Sequence, residues 1–399
     1  MKTFNFMSVA TCGLVMMAMS CSSCKEDPIE PNNKTYTITD VEIGGESYKK
    51  LEGIINDDLS LNLSENWLLS GGVFVDENAK LSITQGGTVY ADTEVTTFLS
   101  IMQGGEMFIQ GESTNPIVFT PLKDNPTYGD WGGIIINGRA TLNTGLTAEG
   151  EGGTGIYGGD DDHDDSGILR YVRVEYAGKI LGTDNELNGF SFNGVGDETI
   201  VEYIQAYKGS DDGIEFFGGT VNVKYAVSTH NQDDSFDWTH GWRGKGQYWI
   251  AQQGPDGGDR GIEADNNGDD NTLEPYSNPT LSNITLIGVN DGDSLNTGMR
   301  LREGTKGQIF FAHVTGFPKY GVRVSDEVTL NNVTNGELFV ANSLIEGNGT
   351  DFKDCESFDG LTNTLNDSWF SYDETVGAGD FWTEGWVRQW EIQYLFSSF

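Results

Sequence analysis

Along most of this chain, short β-prone runs of three to six residues alternate with clusters of Gly, Asn and Asp. Early runs are "GVFV" (72–75), "KLSI" (80–83), "TVYA" (88–91), "EMFIQG" (106–111) and "PIVFT" (116–120). Branched and aromatic residues in short runs, bounded by turn formers, predict strands. No long stretch carries an apolar period of 3.6, so no extended helix is expected.

The runs also repeat as a set. "LRYVRVEYAG" (169–178), "VEYIQAYKG" (201–209) and "VKYAVSTHN" (223–231) share Tyr171, Tyr203 and Tyr225. "NGFSF" (188–192), "DGIEF" (212–216) and "DSFDW" (234–238) follow them, with 24 residues from Asn188 to Asp212 and 22 from Asp212 to Asp234. "TGMRLRE" (297–303) and "YGVRVSD" (320–326) lie 23 apart. A third series, "SNITLIGV" (282–289), "AHVTGF" (312–317) and "ANSLIEGN" (341–348), sets His313 level with Asn283 and Asn342. A unit of two or three strands recurring every 22 to 30 residues, with no helix between, fits one coil of a parallel β-helix. A propeller repeat would be nearer 40 residues. The expected fold is therefore all-β, a solenoid over 69–354 with an N-terminal cap at 37–68 and a C-terminal cap at 355–399. Trp382, Trp386 and Trp390 sit at intervals of four in that last segment, so one amphipathic helix or a final hairpin is expected to cover the open end.

The leader "MKTFNFMSVATCGLVMMAMSCSSCKEDP" changes the cellular picture. One Lys, an apolar run and small residues before a Cys read as a secretory signal over 1–20 of the bacterial lipoprotein kind. Cys21 follows Ala18-Met19-Ser20 and fits lipidation; Cys24, with "CKEDP", is the competing site. Two acyl chains on such a Cys anchor stably to a membrane, and residues 21–36 then form a lipidated tether. The expected address is the outer membrane, facing the exterior. Cys355 stands alone, so no disulfide framework is expected in the solenoid.

Composition adds a net charge of −38, from 61 Asp+Glu against 23 Lys+Arg. That charge opposes nucleic acid as a partner and favours divalent cations. If the coils stack, Asn188, Asp212 and Asp234 share a column and Asp211 and Asp233 lie beside it. Carboxylates about 4.8 Å apart repel and raise one another's pKa, so a proton, a metal or a donor must relieve them. Ca²⁺ is the candidate at Asp211, Asp212, Asp233 and Asp234, against a plainer role as turn-forming acids. No EF-hand pattern is present, and His163 among its aspartates lacks companion imidazoles. Trp238 and Trp242, beside the acids, are candidates for stacking a sugar ring.

"GDWGGIIINGRATLN" (129–143), "SGILRYVRVEYAG" (166–178), "DDGIEFFGGTVNVKYAV" (211–227) and "DDSFDWTHGWRGK" (233–245) resemble a family of bacterial outer-membrane lipoproteins with a pectin-lyase-like, right-handed parallel β-helix. Its members often carry the label "multidrug transporter", which does not suit a chain whose sequence offers no spanning apolar run after the leader. The resemblance implies a fold and a surface location, with no defined reaction. The expectation is a structural, adhesive or surface-layer role, stabilised by Ca²⁺, with neighbouring copies or a glycan as partners. The alternative is a polysaccharide-binding or polysaccharide-cleaving protein. Cleavage would draw on Asp211, Asp212, Asp233, Asp234 and Asp237 as acid–base pairs and Arg243 as a lyase-type base. His240 follows Asp237 by three residues, whereas the polygalacturonase pattern sets acid and His about a coil apart.

Overall fold

The computed structural model describes residues 35–182, 185–289, 296–353, 370–372, 376–379 and 382–388. Cys21, Cys24 and the leader lie outside them, as do Cys355 and Trp390. Among the described residues, no helix is long and apolar enough to cross a membrane.

The short runs become strands that pair in parallel from coil to coil, forming a parallel β-helix. The first ladder contains Ile134–Asn137, Phe190–Asn193, Ile214–Phe217, Phe236–Thr239, Arg260–Ala264, Thr297–Leu301 and Tyr320–Val324. Longer strands such as Gly167–Glu175, Ile200–Tyr207, Asn222–Thr229 and Lys245–Gln252 bend midway and serve two further ladders. An antiparallel hairpin, Thr35–Ile43 with Glu46–Ile55, starts the solenoid, and its second strand pairs in parallel with Trp67–Val75. One α-helix, Glu327–Thr334, is inserted late in the chain; Asp326 caps it by accepting from the Thr329 N–H.

Strand alternation points one set of side chains inward. Phe190, Phe192, Ile214, Phe216, Phe236 and Trp238 from the first ladder are buried. Phe216 stacks on Phe192, Trp242 and Trp249 with centroids at 5.3, 4.1 and 5.7 Å, so the core is a continuous aromatic pile.

The bend in the longer strands explains the repeated tyrosine. Tyr171, Tyr203, Tyr225, Tyr248, Asn283, Phe311 and Asn342 occupy equivalent corners, all left-handed with φ between 49° and 61°. That conformation costs a non-glycine residue about 1–2 kcal/mol. Ring stacking offsets it: Tyr171–Tyr203 and Tyr203–Tyr225 are 4.3 Å apart and Tyr225–Tyr248 5.1 Å. The residue level with Asn283 is thus Phe311 and not His313, which pairs with Thr285 two positions on. The sequence series sets His313 there instead, because an aromatic takes the corner where its neighbours carry Asn. Phe311→Asn is accordingly expected to keep or raise the melting temperature. Phe311→Val is expected to lose about 1–2 kcal/mol, because a β-branched residue suits that corner worst. Thermal melts of the two variants check this.

Residues 376–379 and 382–388 run along the flank of the solenoid, over these corners. Trp386 is fully buried, edge-on to Tyr171 and Tyr203 at 6.0 and 5.9 Å, and Trp382 packs on Tyr225 at 5.2 Å. Ala378 N–H donates to Thr285 Oγ1 and Arg388 N–H to Gln205 Oε1. The spacing of four serves a tight turn here: each indole N–H donates to the carbonyl four residues back, Trp386 to Trp382 and Trp382 to Ala378. The rest of the expected C-terminal cap lies outside the described residues.

Candidate functional site

The outward positions of the first ladder stack as strictly as the inward ones. Ser191, Glu215, Asp237, Glu263, Arg300, Arg323 and Lys353 form one column, each in register with the next. Three consecutive acids are followed by three consecutive bases. Beside it, at the entry to these strands, stand Asn188, Asp212 and Asp234, at the 24- and 22-residue spacing, then Arg260 after 26, with Asp211, Asp233 and Asp259 next to them.

The turn acids are bound into the coil stack. Asp212 Oδ1 accepts from the Asp234 N–H at 2.9 Å, and Asp234 Oδ1 from the Arg260 N–H at 2.6 Å. Asn188 continues the pattern, donating from Nδ2 to Glu215 Oε2 at 2.5 Å. The acids therefore fulfil the plain structural role of turn formers, yet they are left crowded. Carboxylate oxygens approach within 4.8 Å in four interlocking groups: Asp211–Asp212–Asp233, Asp212–Glu215–Asp237, Asp233–Asp234–Asp259 and Asp234–Asp237–Glu263.

Positive charge relieves only one end. Arg260 pairs with Asp259, Asp234 and Glu263; Arg300 and Arg302 pair with Glu263; and Arg302 also holds Asp265 at 2.7 Å. Among the described residues, no ion pair reaches Asp211, Asp212, Glu215, Asp233 or Asp237. Burial pushes Asp211 up to about 8, with Glu186 and Asp233 adding to it. Asp212, Glu215 and Asp237 are driven well above the carboxylate range by burial and then by their acidic neighbours. Asp233 is raised by burial and Asp259; Asp234 is raised by burial and Glu263, with Arg260 opposing. Asp237 belongs to two of the four groups, and its Oδ1 is buried and has no hydrogen-bond partner.

Other candidates are placed elsewhere. Arg243 does not face the column: it grips Asp162 through two contacts of 2.6 Å and donates to the Thr141 and Gly241 carbonyls. A guanidinium committed in this way is no base for the acids. Trp238 and Trp242 are 1% and 0% exposed, with indole N–H groups donating to Thr305 Oγ1 and the Val221 carbonyl. Both belong to the aromatic core, so they offer no face to a sugar. His163 pairs with Asp197 at 2.7 Å on an exposed loop. His240 contacts the Tyr157 hydroxyl at 3.3 Å, and burial lowers its pKa to about 4. Glu263 and Arg302 form the heart of the ion-pair end; Arg302 lies in the repeated "TGMRLRE" run, whereas Glu263 is found only by the 26-residue step from Asp237.

No curated protein and no solved structure matches the chain significantly, but residues 53–391 match a family model described as a pectate-lyase like β-helix domain. A match over that span, on a chain whose strands pair in parallel coil by coil, shows that the protein belongs to the pectate-lyase like β-helix family.

Proposed function

We propose that this β-helix serves outside the cell as a lipid-anchored surface protein with a structural or adhesive role, and that its acidic column holds a divalent cation. The leader and its cysteines support the address, and the net charge of −38 suits a soluble surface that rejects polyanions. One observation carries the cation: five crowded carboxyls on successive coils have no ion pair among the described residues, and the buried Oδ1 of one of them, Asp237, lacks a hydrogen-bond partner. The donor set is all hard oxygen, which fits Ca²⁺ and excludes a preference for softer metals. Asp212, Glu215 and Asp237 would form one side of the site and Asp211 and Asp233 the other. When bound, the cation would supply charge neutralisation between coils and hold them together.

Calorimetric titration of the full chain with CaCl₂ tests this, with Asp212→Asn/Asp237→Asn beside the wild type. Binding that disappears in the double variant, with stabilisation of about 2.7 kcal/mol at a hundredfold excess over Kd, is the expected result. Absence of Ca²⁺ heat in the wild type would remove the cation from the reading. Heat from neutral or acidic polysaccharides that depends on the same two carboxyls would move the protein to the carbohydrate-active alternative.

A further inference from the structure

A cavity of about 160 Å³ opens on the same outer face, one coil before the acidic column. Ser191, the residue beneath Glu215 in that column, forms part of its floor together with Asn193 and Phe217. Glu151 and Tyr157 close it from the insertion between Ile134–Asn137 and Gly167–Glu175, and His240 closes it from the turn after Phe236–Thr239.

Acids, hydroxyls and one unpartnered amide oxygen make up the polar lining. Asn193 is 2% exposed, and its Oδ1 has no partner. Its amide cannot be reversed, because Nδ2 donates to Asn137 Oδ1, and the Asn137 amide already donates to Ser100 Oγ, Ile101 O and Thr154 O. Asn193, a lining residue, therefore keeps an acceptor oxygen without a donor. Glu151 adds a carboxyl, Ser191 a hydroxyl, and neither Lys nor Arg lines the space. A buried acceptor without a donor costs about 1–3 kcal/mol, which a ligand carrying donors would recover. Phe217 and Tyr157 supply ring faces, 6.3 Å apart by centroid, against which a cation is attracted.

We infer that this cavity is a binding site for a primary ammonium group carried on a compact body, an amino sugar or an alkyl amine. One positive charge answers a space lined by Glu149 and Glu151 with no Lys or Arg, whereas a neutral sugar brings no charge to meet those carboxyls. Burial and Glu186 push the Glu151 carboxyl up to about 7, as expected of an acid kept from a cation. Glu149 adds a second carboxyl to the lining.

The test is calorimetry at pH 7.5 with glucosamine, n-butylamine and glucose, run on the full chain in saturating CaCl₂ and again in chelator. Both amines are expected to bind and glucose to bind at least tenfold more weakly, on the order of one lost charge-assisted hydrogen bond. Glu151→Gln is expected to weaken amine binding by about tenfold to a hundredfold, and Ser191→Ala by a few-fold, at an unchanged melting temperature. Glucosamine tighter than butylamine identifies an amino sugar as the source; the reverse order identifies an alkyl amine. Asp237→Asn, which disables the cation column, is expected to leave amine affinity intact, so the two sites fail or stand separately. Glucose binding as tightly as glucosamine, unaltered affinity in Glu151→Gln, or no amine heat at millimolar concentration would overturn the assignment.

Discussion

In chelator, the melting temperature is expected to fall steadily between pH 6.5 and pH 8.5, and millimolar Ca²⁺ is expected to abolish most of the fall. The sign follows from the column. Asp211, Asp212, Glu215, Asp234 and Asp237 have folded pKa values raised above their ordinary ones, so the folded chain binds protons that the unfolded chain has released. Stability then decreases as pH rises, by about 1.4 kcal/mol per unit for each carboxyl still protonated. The loss starts near the ordinary carboxylate pKa and runs to about 8 for Asp211, further for the deeper groups. Two opposing effects are confined to lower pH. His230, His240 and His313 are held down by burial, so their contribution is gained as pH rises toward the ordinary histidine value. Asp162, lowered through Arg243, matters only near and below its ordinary pKa. Above pH 6.5 the carboxyls dominate. Ca²⁺ competes with those protons, so its stabilisation should grow with pH across the same window. Melts at half-unit intervals, with and without Ca²⁺, measure both slopes. A chelator curve that is flat or rising, or an Asp212→Asn/Asp237→Asn curve as steep as the wild type, would contradict the column's protonation.

The acidic column and the two arginine rungs are each legible in sequence, but their join is hidden by loop length. Between Asn188, Asp212 and Asp234 the coils are nearly constant, so like residues are found by counting. From Ile262 to Met299 the partner lies 37 residues on, because the segment between the two strands is longer here. Counting then fails to set Arg300 on Glu263, although Arg300 and Arg323 in the next coil are again 23 apart and in register. Long-range partners were invisible for a different reason. Arg243 meets Asp162 across 81 residues and two loops, and no periodicity encodes that pair. Trp242 follows the end of its strand, where alternation no longer says which side is inward. Only the packed structure decides that, and the space between Phe216 and Trp249 takes the indole. The repeated Tyr is visible in sequence, but its cause, a left-handed corner recurring from coil to coil, lies in backbone geometry that no side-chain pattern states.

Trp242→Ala is expected to be the most damaging single truncation at the site, costing about 3–5 kcal/mol. The indole is wholly buried, lies 4.1 Å from Phe216 and 6.1 Å from Trp249, and its N–H serves the Val221 carbonyl. Truncation would leave an aromatic-lined void and an acceptor without its donor. Trp242→Phe keeps the stack and loses the hydrogen bond, so its cost should be smaller, near 1–2 kcal/mol. Denaturant midpoints at an unchanged slope give both values. The consequence reaches the outer face, because Phe216 and Trp238 alternate on their strands with Glu215 and Asp237. Inward packing therefore fixes the pitch at which the carboxyls stack, and Trp242→Ala should weaken Ca²⁺ binding without removing a ligand. Unchanged Ca²⁺ affinity in a destabilised variant would mean that the carboxylate-to-backbone bonds from Asp212 to Asp234 and from Asp234 to Arg260 hold the column by themselves. A parallel loss would make the aromatic pile the element that sets the site.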